Sequence, residues 1–181
     1  MRNRPGKMLW PARVPVLSAA AAVMLGVCGS CNTTGCTDNR SSIPLAGFYA
    51  TGSGSTISLD SIDVGGIGAP GDSLLLASGE AATAVYLPLR SERTSAAFCI
   101  AYRYKALDYR ELNDTITFNY SSIPYFASEE CGAMMRYRIE SVVHSRHLLD
   151  SVAIVPADSV ITNADIENLR LYFKTSSAEN R

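Results

Sequence analysis

Few side chains in this 181-residue chain have types and spacings suited to chemistry: five cysteines, two histidines three positions apart, a glycine-rich loop and several Asp-hydroxyl pairs. In His144-Ser145-Arg146-His147-Leu148-Leu149-Asp150, two imidazoles and a carboxylate could meet a metal if the segment formed a helical turn. It lies instead between two strand-like runs, and Arg146 opposes a cation, so solvated loop histidines and no metal are expected. A Cys99 and His144 dyad would need a thiol of low pKa in a polar niche, but Ala96-Ala97-Phe98-Cys99-Ile100-Ala101-Tyr102 is apolar. Gly66-Ile67-Gly68-Ala69-Pro70-Gly71 has the spacing of a dinucleotide-binding loop, yet Pro70 constrains it and no long helix follows to face a pyrophosphate. It reads as a wide turn. Gly52-Ser53-Gly54-Ser55 lacks the spacing of a nucleophile elbow, and Asn163-Ala164-Asp165-Ile166-Glu167-Asn168 lacks the glycine and ligand spacing of a calcium loop. No catalytic residue, metal or cofactor is therefore expected, and the chain is not read as an enzyme.

The amino terminus carries a different chemistry. Arg2, Arg4, Lys7 and Arg13 form a basic region without acids, followed by the uncharged run Val14 to Val27. Fourteen residues suit a signal peptide and are too few for a transmembrane helix, which needs about 20. Met8 is a second possible start, leaving Arg13 as the one basic side chain of that region. The run ends in Cys28-Gly29-Ser30-Cys31, which resembles a bacterial lipoprotein signal, in which a cysteine after a small residue receives the lipid and becomes the new terminus. Cys28 has Leu25 upstream but the branched Val27 directly before it, whereas Cys31 follows Ser30. Cys31 is the preferred lipidation site and Cys28 the competitor; cleavage without lipidation is the plainer alternative.

With Cys31 acylated, Cys36, Cys99 and Cys131 remain, and export to an oxidising compartment favours a disulfide. Cys99 sits in an apolar run where a cysteine behaves as a small hydrophobe. Cys36 and Cys131 lie in turn-like surroundings, Thr34-Gly35-Cys36-Thr37-Asp38 and Glu129-Glu130-Cys131-Gly132, and are expected to pair; three reduced thiols are the alternative.

All 17 acids lie after residue 30 whereas four of the 16 bases precede it, so removing residues 1–30 takes the formal charge from −1 to −5. The remaining charge is spread out. No basic stripe suits nucleic acid, and no polybasic segment follows the anchor to meet acidic headgroups.

The elements that must carry these residues read as strands. Ile43–Ala50, Thr56–Val64, Ser73–Leu76, Thr83–Leu87, Thr94–Tyr104, Asp114–Tyr120, Ala133–Val143, Ser151–Val155 and Asn168–Phe173 are short apolar runs bounded by Gly, Ser, Pro or charge. Ile116, Phe118 and Tyr120 alternate onto one face. The pattern predicts an all-β fold, a single antiparallel β-sandwich, immunoglobulin-like or related, behind a lipoprotein signal peptide. Residues 1–30 form the signal, 31–42 the anchor and linker, 43–175 the sandwich and 176–181 a flexible tail. Helical signal is confined to Leu74–Ala82 and Ala164–Leu169. Tyr102, Tyr104, Tyr109, Tyr120, Tyr125 and Tyr137 could line a sugar-binding face, although strand tyrosines with wet hydroxyls are the commoner arrangement.

Asp60-Ser61-Ile62, Asp72-Ser73-Leu74, Asp114-Thr115-Ile116, Asp150-Ser151-Val152 and Asp158-Ser159-Val160 repeat one local pattern, an Asp, a hydroxyl residue and an aliphatic. An Asp carboxylate accepting from backbone N–H groups just ahead closes a turn, and the aliphatic residue starts the pleat. The triplet also resembles the acceptor for O-glycosylation of exported Bacteroidota proteins, which would place glycans on Ser61, Ser73, Thr115, Ser151 or Ser159.

Cys31, Cys36-Thr37, Ile43-Pro44, Phe48-Tyr49 and the segment Gly65 to Leu76, in that order, resemble a family of Bacteroidota lipoproteins, domain of unknown function 6452. Tyr86-Leu87-Pro88-Leu89, Asp114 to Tyr120, Phe126 to Gly132 and Asn168 to Phe173 extend the likeness over nearly all the mature chain. The resemblance implies a small anchored envelope protein in which Cys36 and Cys131 belong to the family pattern and Cys99 does not. It implies no reaction. The expected role is a non-catalytic binding or structural module for another envelope protein, held in the outer membrane by its lipid and facing either the periplasm or the outside. Carbohydrate binding and an envelope hydrolase are the alternatives.

Overall fold

In the computed structural model the described residues are 42–162 and 166–175. The segment expected to be a signal peptide, Cys28, Cys31, Cys36 and the expected 176–181 tail lie outside them, as do Asn163, Ala164 and Asp165. Ten strands follow in order: β1 (Leu45–Ala50), β2 (Ile62–Gly66), β3 (Leu74–Leu76), β4 (Ala84–Tyr86), β5 (Ser95–Tyr102), β6 (Asp114–Ser128), β7 (Gly132–His144), β8 (Leu149–Ile154), β9 (Val160–Ile161) and β10 (Glu167–Phe173). They form a four-stranded sheet, β4-β1-β10-β8, and a six-stranded sheet, β3-β2-β5-β6-β7-β9.

Alternation makes the sandwich. Ala46, Phe48, Leu169, Leu171 and Phe173 of the smaller sheet share one buried cluster with Val64, Phe98, Ile100, Ile116, Phe118 and Tyr120 of the larger. Phe48 meets Phe173 edge-on with centroids 5.7 Å apart, and Tyr120 meets Tyr137 likewise at 5.5 Å. The two inner faces thus bury one common core, as the all-β sandwich reading requires.

One pairing departs from a purely antiparallel arrangement: β1 and β10 run parallel. More than a hundred residues separate them, so no hairpin turn dictates their direction. Their register shifts between Leu45 and Ala46, and the buried Asn168 fills the irregularity, its Oδ1 accepting the Leu45 N–H at 3.2 Å.

The boundaries differ from the sequence expectation in instructive ways. Asp114–Tyr120 extends to Ser128, because β7 pairs with β6 as far as Ser128 although β5 flanks it only to Asn119. Beyond that point β6 pairs on one side alone, so Pro124 can sit opposite Met135 without interrupting a second ladder. Thr56–Val64 is a strand only from Ile62; Thr56 and Leu59 make single bridges to Tyr49 and Ala82 as the chain leaves one sheet for the other. The helical expectation for Leu74–Ala82 is wrong: the segment is β3 and a turn at Gly79, whose φ is +100°. The described part of Ala164–Leu169 is strand from Glu167. Among the described residues, helical geometry is limited to 3₁₀ turns at Pro70–Asp72 and Arg110–Leu112.

Candidate functional site

The most heavily bonded polar group among the described residues is the carboxylate of Asp114, at the first position of β6 and fully buried. It accepts from the Tyr102 hydroxyl at 2.8 Å, the Ser145 hydroxyl at 2.6 Å and the backbone N–H groups of His147, Leu148 and Leu149 at 2.9, 2.8 and 2.7 Å. Burial pushes its carboxyl pKa up, but the Ser145 hydroxyl, the Leu149 and His147 amides and the Tyr102 hydroxyl outweigh that and hold it below the ordinary carboxylate value. Tyr102 moves the other way, raised by its burial and by the bond to Asp114. One carboxylate thus ties β5 and β6 to the turn between β7 and β8. The sequence pattern marked Asp114 as an Asp that caps the residues just ahead. That holds for Asp158, which accepts the Val160 N–H at 3.1 Å, but the partners of Asp114 lie 12 residues back and 31 to 35 ahead.

Among the described residues, cavities open at both ends of the sandwich. One, of about 380 Å³, adjoins the Asp114 cluster and is lined mainly by apolar side chains, among them Ile57, Leu59, Tyr102, Leu107, Leu148 and Phe173. The other, of about 460 Å³, lies under the β2–β3 turn, where Ile67, Ala69, Leu75, Pro88, Arg90 and Arg93 contribute to its wall.

The Gly66–Gly71 loop forms this second cavity's rim as a turn. Gly68 and Gly71 have φ of +75° and +67°, which favours glycine, and a strand rather than a helix follows. Gly52 and Gly54 likewise turn the chain after β1 with positive φ.

Cys99 and His144 do not form a dyad. Cys99 pairs with the exposed Thr115 while His144 pairs with the buried Ile116, so the two side chains leave opposite faces of the sheet. Burial raises the Cys99 thiol pKa, and the His144 ring contacts the Ser145 carbonyl at 2.8 Å. His144 ends β7, His147 is exposed in the following turn and Asp150 belongs to β8. The described residues contain no group of three potential metal ligands.

The six tyrosines named from the sequence do not share a face. Tyr102, Tyr120 and Tyr137 are core residues, and Tyr104 and Tyr109 are exposed between β5 and β6. Tyr125 is half-buried under the Arg136 guanidinium, 3.9 Å from its ring centroid. An aromatic cluster that the sequence reading passed over lies on the outer face of the smaller sheet. Tyr49 and Tyr172 are register partners with centroids 5.6 Å apart. The Tyr49 hydroxyl donates to Glu167 Oε2 at 2.6 Å, Arg170 Nε donates to Glu167 Oε1 at 2.6 Å, and the guanidinium lies 5.2 Å from the Tyr49 ring. The signal was there in the alternation of Arg170 and Tyr172 with Leu169, Leu171 and Phe173.

Of the five candidate glycan acceptors, Ser73 and Thr115 are exposed and Ser61, Ser151 and Ser159 half-buried. Ser61, Ser73 and Ser159 immediately precede strands, Thr115 is the second residue of β6, and Ser151 lies inside β8. Cys99 is the free cysteine among the described residues, and Cys131 lies in the β6–β7 turn.

Among the described residues no helix is long and apolar enough to cross a membrane. No curated protein and no solved structure matches the chain. Residues 61–173, more than half the sequence and all but the first strand of the sandwich, match the family of unknown function DUF6452, and the chain belongs to that family.

Proposed function

We propose that the chain is a lipid-anchored protein of the cell envelope, in the outer membrane, acting as a non-catalytic binding module for another envelope protein. The observation that carries the binding reading is the apolar free edge of the larger sheet. β3 is the outermost strand there, and Leu74 and Leu75 are 50% and 38% exposed, with Ile67 in the adjoining turn 56% exposed. An edge strand with exposed leucines suits addition of a strand from a partner, main-chain bonds giving affinity and the leucines selectivity. The anchor rests on the basic region, the Val14–Val27 run and Cys31.

The Cys36–Cys131 disulfide belongs to the same proposal. Ser42 donates its hydroxyl to the Met135 carbonyl, four residues beyond Cys131. Ser42 is six peptide steps after Cys36, a reach of up to about 20 Å, so the arm is long enough to return to the β6–β7 turn. That bond would fasten the arm below the anchor to the body of the domain.

A photo-crosslinking residue at Leu74 in intact cells tests the docking edge. Capture of one envelope protein, lost when the probe is moved to exposed Val143 on β7, supports it; equal capture at both positions overturns it. Incorporation of labelled fatty acid, abolished by C31A, tests the anchor.

A second reading, carbohydrate binding, is favoured by the Tyr49 and Tyr172 pair with Arg170 beside it, an aromatic surface with polar groups at its margin. Retention on glycan columns that falls in Y49A and Y172A would favour it over the protein partner. Ser73 and Thr115, the exposed candidates, are the preferred positions for O-glycans, read as added intact mass.

A further inference from the structure

The cavity under the β2–β3 turn is lined by two exposed arginines beside an apolar wall. Arg90 and Arg93 line it together with Leu75, Pro88, Ala96 and Phe98. Among the described residues neither arginine makes an ion pair, and no described carboxylate lines the cavity. This stands out in a mature chain of formal charge −5.

The loop that bears the arginines is held in place. Tyr120 Oη donates to the Arg90 carbonyl at 2.9 Å and lies 3.0 Å from the Arg90 N–H that it accepts. Ser122 Oγ donates to the Ser91 carbonyl at 2.9 Å, the Tyr120 N–H to the Thr94 carbonyl at 2.9 Å, and the Arg93 N–H to the Arg90 carbonyl at 3.1 Å. Glu92, the acid between the arginines, is bonded by the Ser91 hydroxyl at 3.2 Å and is not part of the wall. Two arginines thus extend from a backbone already fixed on β6, so that ligand binding need not order the loop.

We propose that this cavity binds a small anionic ligand, a phosphate or carboxylate group on a carrier with an apolar portion. The guanidinium pair takes the anion through charge-assisted hydrogen bonds, and Leu75, Pro88 and Ala96 take the apolar part. The site does not depend on the lipid anchor, but Ile67 and Leu75 are shared with the proposed docking edge, so the titration is made without a partner.

The test is a titration of the purified full mature protein in neutral detergent with inorganic phosphate and with acetate, at ionic strength held constant with sodium chloride, followed by amide resonances. Saturable shifts confined to the Gly66–Ala69, Arg90–Thr94 and Ala96–Phe98 segments, weakened about tenfold or more in R90Q/R93Q, are expected. The tighter of the two probes identifies the head group. Thermal unfolding of R90Q/R93Q at the wild-type temperature separates loss of binding from loss of fold. No saturation with either probe, shifts spread over every surface arginine, or unchanged binding in R90Q/R93Q would overturn the proposal.

Discussion

Tyr102 and Asp114 meet inside the domain, the phenol donating to the carboxylate at 2.8 Å, with the rest of that carboxylate occupied by the turn that leads from β7 into β8. Removing the carboxylate strands two hydroxyls and three amides at once. D114A is expected to lose about 3–5 kcal/mol of stability, and D114N somewhat less, because its amide oxygen still accepts while its NH₂ faces donors. Chemical denaturation of the two variants measures this. Y102F, which deletes one donor of five, should lose about 1 kcal/mol.

The same group sets an acid limit. Its pKa in the folded protein is below the ordinary carboxylate value, so the unfolded chain takes up its proton first as pH falls. The stability it contributes is complete above about pH 4, the unfolded value, and is lost as pH falls through the lower folded value. Unfolding free energy measured between pH 6 and pH 2 should decline below about pH 4 in the wild type, and the decline should be shallower in D114N.

Gly47 lies where the outer face of the smaller sheet is most crowded. A Cβ there would overlap Glu167 Oε2 and stand 2.9 Å from Tyr49 Cε2. G47A should push the Glu167 carboxylate away from Tyr49 and Arg170. A loss of about 1–2 kcal/mol is expected, together with a fall in the Tyr49 pKa, which Glu167 first and burial second now hold above the ordinary value. A spectroscopic titration of the phenols reads the second effect.

Cys99 should react slowly. Its thiol is half-buried, and burial raises its pKa in spite of the opposing charges of Arg103 and Arg110. Labelling of the native protein with a thiol-specific reagent should be slower than in urea and should accelerate only at alkaline pH. C99A should leave the fold intact.

If Cys36 and Cys131 pair, reduction should lower the melting temperature of the wild type and leave C36A/C131A unaffected. A loop of that length contributes about 4–5 kcal/mol in the chain-entropy view. Mass spectrometry of non-reduced peptides identifies the bridge directly.

What was legible in the sequence was the alternation. Ile116, Phe118 and Tyr120 face the core, and the sandwich follows from repeating that pattern in both sheets. The second half of β6 was not legible, because Ser121, Ser122 and Pro124 look like an ending until β5 is seen to stop at Asn119. β9 has only two residues, too few for any periodicity. The Asp114 cluster was hidden for another reason: its donors come from positions 102 and 145–149, and no local pattern reveals which distant amides converge on a carboxylate. Likewise Arg90 and Arg93 are ordinary loop residues until the β2–β3 turn is folded above them.

Because β1 and β10 lie side by side, the earliest and the latest strands of the domain are each other's neighbours. Synthesis from the amino end therefore delivers a half-sheet that has to wait for residues 167–173 before its centre can close. Such distant pairing makes folding slow, on the order of milliseconds to seconds, and leaves the nascent polypeptide open throughout elongation. For the export proposed above, a translocation channel, which threads only unfolded chains, would find this domain still pliable when the ribosome had nearly finished it.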